Sequence, residues 1–195
     1  MARKNRIWNP RYFDHVIMRG NNRQDIFRTK ADFDEFFRVL HYAYMKYPFQ
    51  IVAYCIMTNH YHLLIRSPEV PLGKIMALIN RRYSDYFNKR YSYSGYLYGG
   101  RYFAKVAAST HSLLEVSRYI HQNPIETKIP MVSKMEEYPY SSFALYHSKK
   151  PSPYAFLDLE LLPSHLPPPY SKCNKGYHIF CNEKKDAAIH VTSLD

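Results

Sequence analysis

The sequence predicts an α+β domain built on an antiparallel sheet with helices packed on one face. The candidate elements follow the order β-α-β-β-α-β-α along the chain. The first six match the split βαβ, or ferredoxin-like, pattern. Periodicity supports the same assignment, because the candidate helices carry apolar residues at helical spacing and the candidate strands are short apolar runs. The third helix is an extra C-terminal element, and an irregular tail follows it.

The first half of the chain supplies three strands and one helix. Residues 12–18 form the first candidate strand. A helix opens at Thr29, which stands at capping-box spacing from an acidic residue, and Pro48 ends it. Residues 49–57 are almost continuously apolar and rich in strand formers, which favours a central strand. Residues 60–65 then return as its hairpin partner.

The second half supplies a helix, a strand and another helix. Residues 72–91 carry an apolar stripe at helical spacing, with cationic residues on the remaining surface. Residues 101–108 indicate a fourth strand. Ser109 or Thr110 is suited to cap the third helix, and Pro124 is expected to mark its end.

The composition divides the chain into three parts. We predict a basic N-terminal arm at residues 1–11, a central domain at 12–147 and a proline-rich appendage at 148–195. The prolines from Pro151 onward argue against regular structure over much of the appendage.

The charge balance indicates a polyanionic partner. The formal net charge is +11 and the sequence pI is near 9.5. No apolar run approaches the roughly 18 residues that a transmembrane helix requires, and the basic N-terminus has no apolar segment behind it. Nucleic acid is therefore favoured over a membrane surface. The 20 Tyr and 11 Phe suit stacking on unpaired bases, although most of them are expected in the core.

The cysteines do not form a disulfide framework, because there are only 3 and they are widely spaced. Cys55 lies in an apolar run and is expected to be inert core. Cys173, His178 and Cys181 lie close together, but no CxxC spacing supports a zinc site there. A reducing cytoplasm is the expected compartment.

A candidate metal site begins at His60 and His62. Side chains two apart on a strand share a face, so two imidazoles about 7 Å apart can converge on one ion. Tyr119 and Asn123 share one face of the third helix. If that face packs against the strand that carries His60 and His62, the four side chains converge. Mixed nitrogen and oxygen ligands with open coordination positions suit Mg²⁺ or Mn²⁺. Alone, a His-X-His pair is weak evidence for metal, and a helix tyrosine more often packs in a core.

Five ordered motifs carry a resemblance to a known family. The Met-Thr-Asn-His-Tyr-His-Leu-Leu run resembles the His-hydrophobic-His motif of HUH nucleases. Together with the other motifs it resembles the IS200-like single-tyrosine transposases, and the REP-associated tyrosine transposase branch in particular. The resemblance extends over about residues 12–146. Its motifs lie at residues 16–24, 57–65, 100–102, 118–124 and 138–142.

The resemblance implies an enzyme that cuts single-stranded DNA beside a hairpin. By position, His60, His62 and Asn123 match the metal ligands, and Tyr119 matches the nucleophile that forms a 5′-phosphotyrosine link. Mg²⁺ or Mn²⁺ is the implied cofactor, and the protein is a monomer or a homodimer. The sequence departs from many relatives at Tyr140, where they have Trp. The alternative is a hairpin-binding module without catalysis, either a domesticated transposase or an RRM-like binder, although no clear RNP1 octamer is present.

Other residues complete the expected functional set. Tyr102 is a second candidate nucleophile. The histidines outside the motif are expected to be structural or surface residues, namely His15, His41, His111 and His121. Six cations are expected to contact DNA: Arg19, Arg23, Arg81, Arg82, Arg101 and Lys105. For each of them, a solvated basic surface without DNA contact is an equally good interpretation.

Overall fold

The structure is a computed structural model that describes residues 8–147 and 151–183. Residues 1–7 of the predicted basic arm lie outside the described residues. Four strands form the sheet: β1 (Phe13–Arg19), β2 (Gln50–Ile56), β3 (His60–Arg66) and β4 (Phe103–Ala107). The helices are α1 (Lys30–Lys46), α2 (Leu72–Tyr91), α3 (Thr110–Glu126), α4 (Phe143–His147), α5 (Leu161–Ser164) and α6 (Asn174–Asn182). Short 3-10 turns occur at Asn21–Arg23 and Met135–Glu137.

The sheet confirms the predicted ferredoxin-like arrangement. Its strand order is β2-β3-β1-β4, and every neighbouring pair is antiparallel. The two middle strands are therefore β3 and β1. Their register places Ile17 opposite His62 and Arg19 opposite His60. Because side chains alternate along a strand, this register decides which residues of β1 share a face with the two histidines.

The two faces of the sheet bury two separate apolar clusters. Tyr61, Leu63 and Ile65 of β3 pack with α1 and α2, as predicted for helices on one face. Leu64 packs with α3 and with the tail helices on the opposite face. Since His60 and His62 have the same parity as Leu64, they lie on the α3 face. The extra helix thus covers the face that carries the candidate site.

The prediction that β2 is a central strand is wrong, because β2 lies at an edge of the sheet. Its continuous apolar character has another cause: both faces and the edge itself are covered. The backbone N–H of Ile51 donates to Phe156 at 2.7 Å, and that of Ile56 donates to Tyr140 at 2.9 Å. The backbone N–H of Ser142 in turn donates to the carbonyl oxygen of Tyr54. Segments from the C-terminal part of the chain therefore protect the edge strand from solvent.

The expectation that Pro124 ends the third helix is wrong. Pro124 lies inside α3, which continues to Glu126, so this proline occupies the last turn and does not end the helix. The described part of the tail is partly ordered, with helices at residues 161–164 and 174–182, which agrees with the expectation that the prolines prevent regular structure over much of it. Tyr177 and Cys181 of α6 are fully buried against the α3 face. The prolines precede α6 along the chain, so they leave it free to form.

Within the described part of the chain, no helix combines the length and apolarity needed to cross a bilayer. The predicted division at residues 11 and 147 stays a prediction. The described tail nevertheless packs on the same sheet as the central domain, through α6 and through the segment that covers β2.

Candidate active site

The two histidines of the motif lie together at the start of β3. Their ring centroids are 4.9 Å apart and their planes are nearly perpendicular. His60 is half-buried, while His62 is only 2% exposed. The Nδ1 of His60 donates to the Asn59 side-chain oxygen at 2.6 Å. Because an amide oxygen only accepts, this bond leaves Nε2 of His60 as the nitrogen with a lone pair.

Helix α3 brings Tyr119 and Asn123 to the same histidines. Ser109 accepts a hydrogen bond from the Ser112 backbone N–H, so the predicted cap begins the helix. The ring of Tyr119 lies 5.7 Å from that of His62, centroid to centroid. The amide of Asn123 donates to the Tyr119 carbonyl oxygen at 2.8 Å and interacts with both imidazoles. The four groups predicted from sequence therefore converge, while their chemical roles stay predictions.

His15 also belongs to this cluster: it is buried, as expected of a structural histidine, and it contacts the candidate ligand His62. Its Nε2 lies 2.9 Å from Nδ1 of His62, and the two rings stack with centroids 5.2 Å apart. Its ring also meets Tyr119 edge-on at 5.8 Å. The other three histidines behave as expected: His41 and His111 are exposed, and His121 is buried in a hydrogen-bonded core.

Burial and nearby cations keep the imidazoles of the cluster neutral. Desolvation first, and then the charge of Arg19, lower the pKa of His60 from 6.5 to about 4. Burial likewise holds the pKa of His62 well below its usual range. Burial and the Lys105 cation lower the pKa of His15 to about 4. At neutral pH the cluster therefore presents nitrogen lone pairs, which are the form that binds metal.

The cluster fits a divalent ion by its donor atoms. The buried Nε2 of His62 makes no hydrogen bond with the described residues. A buried polar atom without a partner is uncommon, and an ion would satisfy it. Within residues 8–147 and 151–183, no three His, Cys, Asp or Glu side chains are arranged to hold a metal. The candidate donors are two imidazoles and the Asn123 amide oxygen, and their role as metal ligands stays a prediction; such a set would leave positions for oxygen atoms from outside the chain.

Some of the predicted DNA-contacting cations lie beside the cluster. Arg19 pairs with His60 across the sheet, and Lys105 pairs with His15. A groove of about 470 Å³ at the end of β1 is lined by Arg19, Arg23, Arg101 and Phe103, among others. These cations would surround a nucleic-acid backbone that enters the site.

The remaining predicted cations belong to α2, on the opposite side of the sheet. Arg81 is exposed and lies 4.0 Å from Asp85, and the guanidinium of Arg82 lies 3.7 Å above the ring of Tyr42. The structure does not bring them to the histidines. Their contact with DNA stays a prediction.

The structure does not form the other candidate sites, namely the second nucleophile at Tyr102 and the zinc site at Cys173, His178 and Cys181. Tyr102 is buried in the cluster beneath α1 and α2, on the face away from His60 and His62. Cys173 is exposed and Cys181 is buried. His178 stacks on Phe143. Burial raises the pKa of the Cys55 thiol, in agreement with an inert core position.

The chain is similar to known proteins over much of its length. Residues 6–123 match the family model described as transposase, IS200 like. A Haemophilus influenzae protein named as a REP-associated tyrosine transposase is 29% identical over 132 residues, which cover 60% of this chain and 73% of that protein. A solved REP-associated tyrosine transposase bound to a REP hairpin has a similar fold, with a TM-score of 0.65. It is 14% identical to this chain, and the match covers 76% of this chain and 87% of that one.

Proposed function

The chain belongs to the IS200-like transposase family, and we propose that it cuts and rejoins single-stranded DNA beside hairpins through a covalent tyrosine–DNA link. The convergence of Tyr119 with His60, His62 and Asn123 carries this proposal. These residues come from β3 and α3, which are far apart in sequence, and the fold brings them into one cluster in which His62 is buried and the others are half-buried. A packed tyrosine alone would not require two neutral imidazoles beside it, nor a buried nitrogen that makes no hydrogen bond with the described residues.

The Tyr119 oxygen would act as the nucleophile. It attacks the scissile phosphorus, a new bond forms between that oxygen and the 5′ phosphate, and the bond to the 3′ oxygen breaks. The phenolic proton passes to solvent and the departing 3′ oxygen takes up a proton. A second 3′ hydroxyl then attacks the phosphotyrosine, which restores a phosphodiester and frees Tyr119. The covalent link conserves the energy of the broken bond, so joining needs no nucleotide cofactor.

His60, His62 and Asn123 would hold Mg²⁺ or Mn²⁺ through two nitrogens and one amide oxygen. When bound, such an ion supplies positive charge that polarises a scissile phosphate. The protein contributes rigidity, because His62 is fully enclosed between β1 and α3. Asn123 is fixed in turn by its hydrogen bond to the backbone one turn earlier.

Arg19, Arg23, Arg101 and Lys105 would bind the DNA backbone around the cluster. Phosphate contacts of this kind give affinity and position without reading sequence. The solved relative that is bound to a REP hairpin supports a hairpin-bearing strand as the substrate. The second candidate function is hairpin binding without cleavage, since these cations would retain the DNA even if Tyr119 were unreactive.

The test is a denaturing gel that detects a protein–DNA adduct on a hairpin-bearing single strand with Mn²⁺. We expect the wild-type protein and Tyr102→Phe to form the adduct, and Tyr119→Phe to form none while still binding the strand. An adduct with Tyr119→Phe would remove Tyr119 as the nucleophile. Binding without any adduct in the wild-type protein would favour the non-catalytic alternative.

A further inference from the structure

We propose that His15 is a positioning residue, which fixes the tautomer and ring orientation of His62 for metal binding. The inference rests on the proposed function, because it concerns the same metal site. His15 and His62 are diagonal neighbours on the α3 face, since the register places Leu64 opposite His15 and Ile17 opposite His62. Diagonal neighbours across antiparallel strands are close enough for aromatic side chains to interact.

The hydrogen bond between the two imidazoles contains a single proton, so only one of the two facing nitrogens can donate it. Nε2 of His15 lies 2.9 Å from Nδ1 of His62, which is a hydrogen-bond distance. If His62 donates this bond, its Nδ1 carries the proton and its Nε2 keeps a lone pair. If His15 donates instead, neutral His62 carries its own proton on Nε2. That proton would lie on Nε2, the buried nitrogen that makes no hydrogen bond within the described part of the chain, and would block an ion.

Metal binding therefore selects one arrangement of both rings. His62 donates from Nδ1, His15 accepts at Nε2, and His15 carries its own proton on Nδ1. Histidine ligands commonly donate their second N–H to an acceptor that fixes the ring and raises the basicity of the ligating nitrogen. Asn59 does this for His60. His15 would do it for His62, so both ligands would be oriented from behind by neutral acceptors.

The neutrality of the acceptor suits the proposed substrate. A carboxylate behind His62 would place a full negative charge within a few ångströms of the position where a DNA phosphate must sit. An imidazole accepts the same hydrogen bond without that charge. The side chain of Lys105, which pairs with His15 across β1 and β4, adds a positive charge on the same side.

The test compares His15→Leu and His15→Gln with the wild-type full-length protein without DNA. Mn²⁺ affinity is measured from the electron paramagnetic resonance signal of the free ion. Loss of an outer-shell partner lowers metal affinity by about 10- to 100-fold, which is the expected effect of His15→Leu. His15→Gln should recover most of that loss, because the Gln oxygen can accept the proton of His62. His121→Leu is the matched control, since it also removes a buried, hydrogen-bonded histidine but does not contact His62.

A second readout reports the tautomers directly. In two-bond proton–nitrogen spectra with Mg²⁺ added, we expect wild-type His62 protonated on Nδ1 and His15 unprotonated on Nε2. Thermal unfolding identifies any variant that fails to fold. If the His15 variants do not fold, the tautomers of His15 and His62 in the wild-type spectrum test the inference. Equal Mn²⁺ affinity of folded His15→Leu and wild type, or a protonated Nε2 on His15, overturns the inference and leaves the proposed metal site intact. Absence of Mn²⁺ binding by the wild type overturns the metal site and this inference together.

Discussion

The ring of Tyr119 meets the ring of His62 at 82°, with 5.7 Å between the two centroids. One residue lies on a helix and the other on an inner strand of the sheet. Their contact exists because α3 crosses the face of the sheet that α1 and α2 leave open. The hydroxyl of the candidate nucleophile and the candidate ligands are therefore held by packed secondary structure, which is the most accurate support that a fold offers a site.

Replacement of Asn123 should weaken the metal site without removing the nucleophile. We expect Asn123→Ala to lower Mn²⁺ affinity by about tenfold or more, because an oxygen donor and a fixed neighbour of both imidazoles are lost. Asn123→Asp keeps an oxygen at the same place and should bind Mn²⁺ at least as well as the wild type. Isothermal titration with Mn²⁺ measures both variants. Unchanged affinity in Asn123→Ala would exclude Asn123 as a ligand.

Removal of the Arg19 charge should weaken DNA binding and also change His60. We expect Arg19→Gln to reduce the slope of log affinity against log salt by about 0.7, the loss of one contact to a single strand. The pKa of His60 should rise toward 6.5, because the Arg19 charge contributes to its lowering. Fluorescence anisotropy at several salt concentrations and histidine NMR titration measure the two effects. Arg38→Gln makes the same charge change at an exposed position of α1, and an equal loss there would show that Arg19 has no specific contact.

Folding stability should fall as the pH drops from about 6.5 to 4.5. Burial lowers the pKa of His121 to about 3 and, with Lys105, that of His15 to about 4. In this window the unfolded chain binds protons that the folded chain excludes, so unfolding becomes easier as pH falls. Each fully buried histidine should cost about 2–3 kcal/mol at pH 4.5 relative to pH 7.5. Urea unfolding at both pH values measures the difference, and equal free energies of unfolding would contradict it.

The hydroxyl of Tyr177 should stabilise the attachment of α6 to α3. It donates to the Ser117 hydroxyl at 2.7 Å and lies 3.1 Å from Nδ1 of His121, inside the buried cluster. We expect Tyr177→Phe to cost about 1–3 kcal/mol, because it leaves buried polar partners unsatisfied. Tyr96→Phe is the control, since Tyr96 is 85% exposed. Urea unfolding measures both, and an equal effect in the two variants would show that the buried hydroxyl contributes nothing.

The sequence predicts most of the site because its signals are local. The two-residue spacing of His60 and His62 and the four-residue spacing of Tyr119 and Asn123 each define one face of one element. The contact of His15 with His62 could not be predicted in this way. Its position next to His62 depends on the pairing register of two strands that are separated by a helix and another strand.

The edge position of β2 was missed for a related reason. A strand buried on both faces has the same apolar pattern whether its edge is paired with a neighbouring strand or covered by other chain segments. The covering segments around Tyr140 and Phe156 contain no long apolar period of their own. The end of α3 was misplaced because Pro124 lies in the last turn, where the loss of one backbone donor is tolerated.

The cover on β2 has a consequence for the order of assembly during synthesis. Ile51 leaves the ribosome about a hundred residues before Phe156, the residue whose carbonyl oxygen accepts its N–H bond. Until then the nascent sheet exposes an apolar edge that can pair with another chain. We therefore expect chains interrupted before residue 156 to aggregate, and chaperones that bind extended apolar segments to engage the nascent chain at β2.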